Sequence, residues 1–259
     1  MQLHFRRYGE PGSSKIPVIL LHGLLGSSIN WHGIAGRIEQ AGHCVLVPDL
    51  RNHGRSPHHE IIDYPSMAAD VIELQQSLGF EQAAVVGHSM GAKAAMWMAL
   101  NNPECVAKLV SVDMIPGRSP RGFKRIFDAL TALDLEQLDS RKEAERILAK
   151  AIDNSAVRLY LLQNLVHQDE GWQWRMNLPV LASTYDVITD FPELESGLQY
   201  QGEALFIYGG ESDYVTADSG ADINKLFPFS RLRAIPGAGH WVYAERPDEF
   251  FSSLIRFLN

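Results

Sequence analysis

Residues 83–100 hold the feature that most constrains the fold. Ala83–Val86 is a short apolar run of strand length, and Ala92–Leu100 is built from strong helix formers. Between them stands Gly87-His88-Ser89-Met90-Gly91, a G-x-S-x-G turn. A chain that leaves a buried strand and enters a helix within so few residues must turn sharply, and the two glycines leave room for it. The turn lifts Ser89 clear of the strand and sets it at a helix N-terminus. Free N–H groups and the positive end of the helix dipole suit a developing oxyanion there. Strand before and helix after make this the shape of a nucleophile elbow.

The flanking sequence repeats the same rhythm. Leu3–Tyr8 reads as a first strand, closed by a turn at Gly9–Ser14. Ile16–Leu21, Cys44–Val47 and Lys108–Val112 are apolar runs expected of parallel strands covered on both faces. Trp31, Ile34, Ala35 and Ile38 mark one intervening helix, and Met67, Val71, Leu74 and Leu78 another, ended by Gly42 and Gly79. Strand alternating with helix calls for an α/β fold, with a mostly parallel central sheet flanked by helices and joined by right-handed crossovers. The rhythm breaks after Asp113. Residues 118–195 read as helical, in Phe123–Leu133, Lys142–Ile152, Val157–Val166 and Pro179–Val187. So long a connection is an insertion, an expected helical cap carrying Trp172 and Trp174. The sheet pattern resumes with strands Ala204–Tyr208 and Leu232–Ile235, a helix from Ala221 to Phe227, and a closing helix with Phe250, Leu254 and Leu258 on one side. The expected division is a core of 1–117 and 196–259 and a cap of 118–195.

Composition narrows the function. With 259 residues, 46% of them hydrophobic, the chain makes one large α/β domain with an insertion. A formal net charge of −8 argues against a nucleic-acid backbone as partner. Cys44 and Cys105 have no metal-type spacing and read as buried free thiols of a reducing compartment. The opening Met-Gln-Leu-His-Phe-Arg6-Arg7 lacks the apolar run that a twin-arginine signal needs close behind it, and no stretch approaches membrane-spanning length. The expectation is a cytoplasmic chain acting on a small molecule, with no metal and no cofactor. Oligomeric state has no sequence signal.

A serine hydroxyl needs a base to activate it, and the base needs a partner that fixes its tautomer. His240 is the expected base, in the loop Pro236-Gly237-Ala238-Gly239-His240-Trp241 after the last strand. Two acids sit at strand ends that reach the same edge. Asp213 follows the strand after the cap and is the expected acid; Asp113 ends the strand beside the nucleophile strand and is the alternative. The oxyanion hole is expected from the backbone N–H groups of Met90 and Leu24, the latter within His22-Gly23-Leu24-Leu25-Gly26. His22, Leu25, His88, Ile115, Trp172, Trp174 and Trp241 are the candidate substrate-site residues, His22 chiefly as a buttress. Pro48–Ser56 reads as a structural hydrogen-bond network, and Arg118, Arg121, Lys124 and Arg125 as a solvated helix end.

At these residues the chain resembles α/β-hydrolase-fold serine esterases, the group of bacterial YbfF-type esterases and their mitochondrial relatives. The matching pieces are His22–Gly26, Asp49-Leu50-Arg51-Asn52-His53-Gly54, Gly87-His88-Ser89-Met90-Gly91-Ala92-Lys93, Val112-Asp113 and Gly237–Trp241. The resemblance implies hydrolysis of carboxylic esters or thioesters of small to medium acyl groups through an acyl-enzyme. It departs from the group at Ala92, where glycine is usual, and at Asp213, which fills the acid position of the wider superfamily where this group uses Asp113's position. Two alternatives stay open. One is carbon–carbon bond hydrolysis or a menaquinone-pathway-type elimination on the same triad. The other is a ligand-binding receptor with vestigial activity.

Overall fold

The structure is a computed structural model describing residues 1–12, 15–120, 122–216 and 219–259. Arg121, and Ser13 and Ser14 of the first turn, lie outside the described residues. The chain opens with β1 (Phe5–Tyr8), β2 (Val18–Leu21), α1 (His32–Gln40), β3 (Val45–Pro48), α2 (Tyr64–Ser77), β4 (Ala83–His88), α3 (Met90–Asn101) and β5 (Val106–Val112). An insertion follows: α4 (Lys124–Thr131), α5 (Arg141–Leu148), α6 (Ser155–Leu162), β6 (Leu165–Gln168), β7 (Gly171–Trp174), α7 (Leu178–Ser183) and α8 (Tyr185–Thr189). Then come β8 (Glu203–Gly209), α9 (Ser219–Leu226), β9 (Ser230–Ile235), α10 (Val242–Glu245) and α11 (Pro247–Leu258).

Seven strands form one sheet in the order β1-β3-β2-β4-β5-β8-β9. Only β1 pairs antiparallel. The apolar runs supply side chains to both faces, because successive strand residues point opposite ways. Ile19, Leu21, Leu46, Val85, Leu109 and Phe206 pack into the cluster that holds α2 and α3. Val18, Leu20, Val45, Val86, Val110 and Ile207 pack into the cluster that holds α1 and α11. The insertion is anchored on one face only: Phe127, Leu130, Leu161 and Leu181 join the α2 and α3 cluster.

The insertion is not helical throughout. The expected helix Val157–Val166 stops at Leu162, and the chain then folds into the antiparallel hairpin β6–β7. Gly171, at φ +105, takes a backbone conformation closed to most side chains and starts the return strand. The expected helix Pro179–Val187 is divided near Thr184, whose hydroxyl bonds the carbonyl of Val180 at 2.6 Å and ends α7. Among the described residues no helix is long and apolar enough to cross a membrane.

Candidate active site

The elbow is built as its glycines require. A Cβ at Gly87 would lie 2.2 Å from the carbonyl oxygen of Gly91, and one at Gly91 2.6 Å from those of Leu21 and His22. Neither position accepts a side chain. Ser89 caps α3 at φ 53 and ψ −116, a strained conformation for serine. Among the described residues the non-glycine positions with positive φ are Leu25, Asn52, Ser89 and Asp113. They lie beyond the C-terminal ends of β2, β3, β4 and β5 in turn, so the strain gathers at one edge of the sheet.

At that edge His240 Nδ1 lies 2.7 Å from Asp113 Oδ2. Asp113 is fully buried. Its Oδ1 accepts from the N–H of Gly209 at 3.0 Å, and its Oδ2 also accepts from the Ser212 hydroxyl at 2.5 Å. Asp213, the expected acid, is exposed and makes no hydrogen bond with His240. Its loop does reach the site, but through Ser212, one residue earlier. The correction has a backbone cause. Asp113 still donates its N–H to Ile207 in the ladder, and its left-handed φ of 52 turns the side chain into the sheet edge.

Other groups hold the imidazole. Tyr214 stacks on it, with centroids 3.9 Å apart and planes 19° apart. His88 Nε2 donates to the backbone carbonyl of His240 at 2.9 Å, and burial keeps His88 neutral by lowering its pKa far below the histidine range. Glu245 accepts the N–H groups of Gly239 and Trp241, bracing the loop. With Nδ1–H given to Asp113, Nε2 is the lone-pair nitrogen, and His240 lines the same cavity as Ser89.

The expected oxyanion loop is held by two histidines in the core. His22 donates from Nδ1 to Gly23 O at 2.9 Å and accepts the Leu50 N–H at Nε2. His53 accepts the Leu25 N–H at 3.1 Å and donates from Nδ1 to Arg51 O. Both must be neutral to accept. Burial pushes His53 down to about 3 and lowers His22 as well. The N–H groups of Leu24 and Met90 have no protein acceptor among the described residues. Asp49 accepts from Ser28 N–H and Arg55 N–H, and Arg51 pairs with Asp70, so the loop after β3 forms a structural network.

Two small cavities meet at Ser89. One, of about 20 Å³, is walled by Tyr64, Met90, Met114, Phe123, Ile188 and Tyr214. The other, of about 10 Å³, is walled by His88, Tyr160, His240 and Trp241; Leu24 and Phe123 border both. His88 and Trp241, two of the candidate substrate-site residues, line the second cavity. His22 and Leu25, within the expected oxyanion loop, are buried and line neither cavity, and Ile115 packs against the apolar core. Trp172 and Trp174 lie on β7, away from Ser89. Trp172 meets His167 edge-on, and Trp174 lines a separate groove with Leu130 and Leu178. The sequence offers them as apolar cap residues for an acyl pocket; the hairpin carries them elsewhere.

Phe123, Tyr160, Tyr214, Tyr64 and Ile188 had no local signal, since each meets Ser89's cavities only through tertiary packing. Lys93 was quoted only as part of the elbow motif. It is fully buried, and its Nζ donates to the carbonyls of Thr189 and Asp190 at 2.8 and 3.1 Å, while burial lowers it to about 7. Of the basic cluster, Arg118 pairs with Asp186 and Asp190, and Lys124 with Asp128, all on the surface. Among the described residues no group of His, Cys, Asp and Glu is placed to hold a metal ion.

The family model described as alpha/beta hydrolase fold matches residues 16–247. The sn-1-specific diacylglycerol lipase ABHD11 of Xenopus tropicalis is 38% identical over 249 residues, covering 93% of this chain and 77% of the relative. Esterase YbfF of Escherichia coli strain K12 is 35% identical, covering 94% of this chain and 93% of the relative. Among solved structures, a marine microorganism esterase matches with a TM-score of 0.94 and 36% identity over 99% of both chains.

Proposed function

The chain belongs to the α/β-hydrolase family and is a serine ester hydrolase of the carboxylesterase type; within that class we propose that Ser89, His240 and Asp113 are its triad and that small to medium acyl groups are its substrates. His240 Nε2 takes the Ser89 proton as the hydroxyl attacks the ester carbonyl. Asp113 holds the ring by its Nδ1–H and stabilises the imidazolium. The oxyanion is met by the N–H groups of Leu24 and Met90, the latter at the positive end of α3. The alcohol leaves with the proton from His240. Water, activated by the same base, then frees the acid from Ser89.

The 2.7 Å contact between His240 and Asp113 carries this reading, because it engages Nδ1 and leaves Nε2 as the nitrogen free to act as base. The apolar and aromatic walls beside Ser89 support an acyl chain on that side. The insertion supplies Phe123, Tyr160 and Ile188 to these walls, which supports its role as a cap over the core. Two buried free thiols, Cys44 and Cys105, support a reducing compartment such as the cytoplasm.

A fluorophosphonate followed by intact-mass measurement tests the assignment. One adduct, absent in Ser89→Ala, together with turnover of p-nitrophenyl acetate or butyrate, is the expected result. An unlabelled, inactive but folded wild-type protein would overturn it.

A further inference from the structure

The insertion grips the backbone of the oxyanion loop. Tyr160, on α6, donates its hydroxyl to the carbonyl of Leu24 at 3.0 Å. Asn164, just past that helix, donates Nδ2 to the carbonyl of Leu25 at 2.7 Å. Asn164 is buried, and burial holds the Tyr160 phenol well above the ordinary tyrosine range, so it stays a donor. The core makes room for this grip. A Cβ at Gly26 would lie 2.4 Å from the Tyr160 hydroxyl. A further bond joins Asn30, beside the loop, to Gln163 of the insertion at 3.0 Å.

The grip falls on a strained turn. Leu25 sits at φ 60, which a leucine holds only when its surroundings impose it. Its N–H is held by His53 of the core and its carbonyl by Asn164 of the insertion. The peptide plane before Leu24 is fixed inside the core, where Gly23 O accepts from Gly26 N–H and His22. The plane after Leu24 is held at both ends, its N–H, that of Leu25, by His53 and its carbonyl by Tyr160. Rotation of that second plane is coupled through φ and ψ of Leu24 to the aim of its N–H.

We propose that Tyr160 and Asn164 are positioning residues for the oxyanion hole, so that the insertion contributes to the chemical step as well as to the shape of the site. This rests on the roles given above to Ser89 and to the Leu24 N–H. An oxyanion donor helps only when aimed at the oxygen of the transition state; removing one outright costs roughly 10²–10³ in kcat, and misaiming one costs less.

The test is Tyr160→Phe and Asn164→Ala, singly and together, on p-nitrophenyl acetate, butyrate and octanoate. Each single variant should lose about tenfold in kcat and the pair about a hundredfold, with KM within about twofold. The factor should be the same for all three chain lengths. Inhibition by a boronic acid, which forms a tetrahedral adduct, should weaken in step with kcat/KM, while inhibition by the product acid should not. A kcat within about twofold of wild type in a folded Tyr160→Phe/Asn164→Ala protein overturns the proposal. So does a loss graded with chain length, which would make both residues walls of the acyl cavity. If Asn164→Ala fails to fold, the near-isosteric Tyr160→Phe decides alone. Wild-type labelling by the fluorophosphonate is measured first. No adduct on Ser89 sinks the nucleophile reading, whereas a normal adduct with unchanged variants sinks the positioning role only.

Discussion

The sheet edge and the insertion meet at Ser89 by different routes. Ser89, Asp113 and His240 each sit in the turn or loop that follows a strand, so strand order alone brings them together. Phe123, Tyr160 and Ile188 come from three separate helices or helix ends and reach the site only because their segment packs on the face of α2 and α3. The first set is fixed by topology and the second by side-chain packing. Chemistry that hangs on backbone topology tolerates change around it; fit that hangs on packing does not.

The contrast breaks most directly at the nucleophile. Ser89→Ala should lose on the order of 10⁶ in kcat and remain folded, because the group it removes is needed only for chemistry. More than a few per cent of residual activity in pure protein would mean that the elbow is only a turn. Next comes the acid. Asp113→Asn should lose roughly 10⁴ in kcat through the wrong tautomer of His240, while Asp213→Asn should stay within about twofold. The opposite result would show that the loop after β8 rearranges to bring Asp213 inward. On the insertion side the effects are smaller. Phe123→Ala should raise the octanoate to acetate ratio of kcat/KM by about tenfold, since the ring blocks about two methylenes' worth of space at about 0.8 kcal/mol each. Trp172→Ala and Trp174→Ala should leave that ratio alone; a shift would mean that the hairpin swings over the cavity.

A last test sharpens the contrast in another way, through stability. Burial of neutral His53 means that the folded protein takes up its proton only near pH 3, while the unfolded chain does so near 6.5. The unfolded state therefore binds more protons between these values, and stability falls as pH drops through that window, by about 1.4 kcal/mol per unit at most for each such group. His22 and His88 are lowered by burial too and act in the same direction. Urea unfolding at pH 7 and pH 5 should show the loss. An unchanged free energy would mean that these rings take up protons in the folded state at the same pH as in the unfolded chain.

What the sequence revealed follows the same division. The five inner strands of the main sheet could be read from apolar runs, because a strand covered on both faces shows mostly apolar residues, whereas the edge strands β1 and β9 carry arginines. Ser89 and His240 could be picked out as candidates from turn chemistry close to those runs. Asp113 could be named but not chosen over Asp213, because both follow strands at one edge and only the left-handed φ at 113 separates them. The hairpin is hard to read because its strands have only four residues each, most of them partly or fully exposed, and Leu165 and Val166 continue the apolar pattern of the helix before them. Tyr160 gave no signal, as its partner Leu24 is 136 residues away.

The pairing of β5 with β8 has an evolutionary consequence. Val112 lies opposite Ile207, so both strand ends deliver a side chain to one imidazole: Asp113 from the first, and Ser212, through the Asp113 carboxylate, from the second. The acid role is therefore transferable between neighbouring strands by two substitutions, Ser212→Asp and Asp113→Ser, in that order. The intermediate carries two carboxylates at one site, one of which must keep a proton, so it pays in stability but never lacks an acid. A lineage crossing that ridge would keep its nucleophile, its base and its oxyanion loop in place while the carboxylate changed strands.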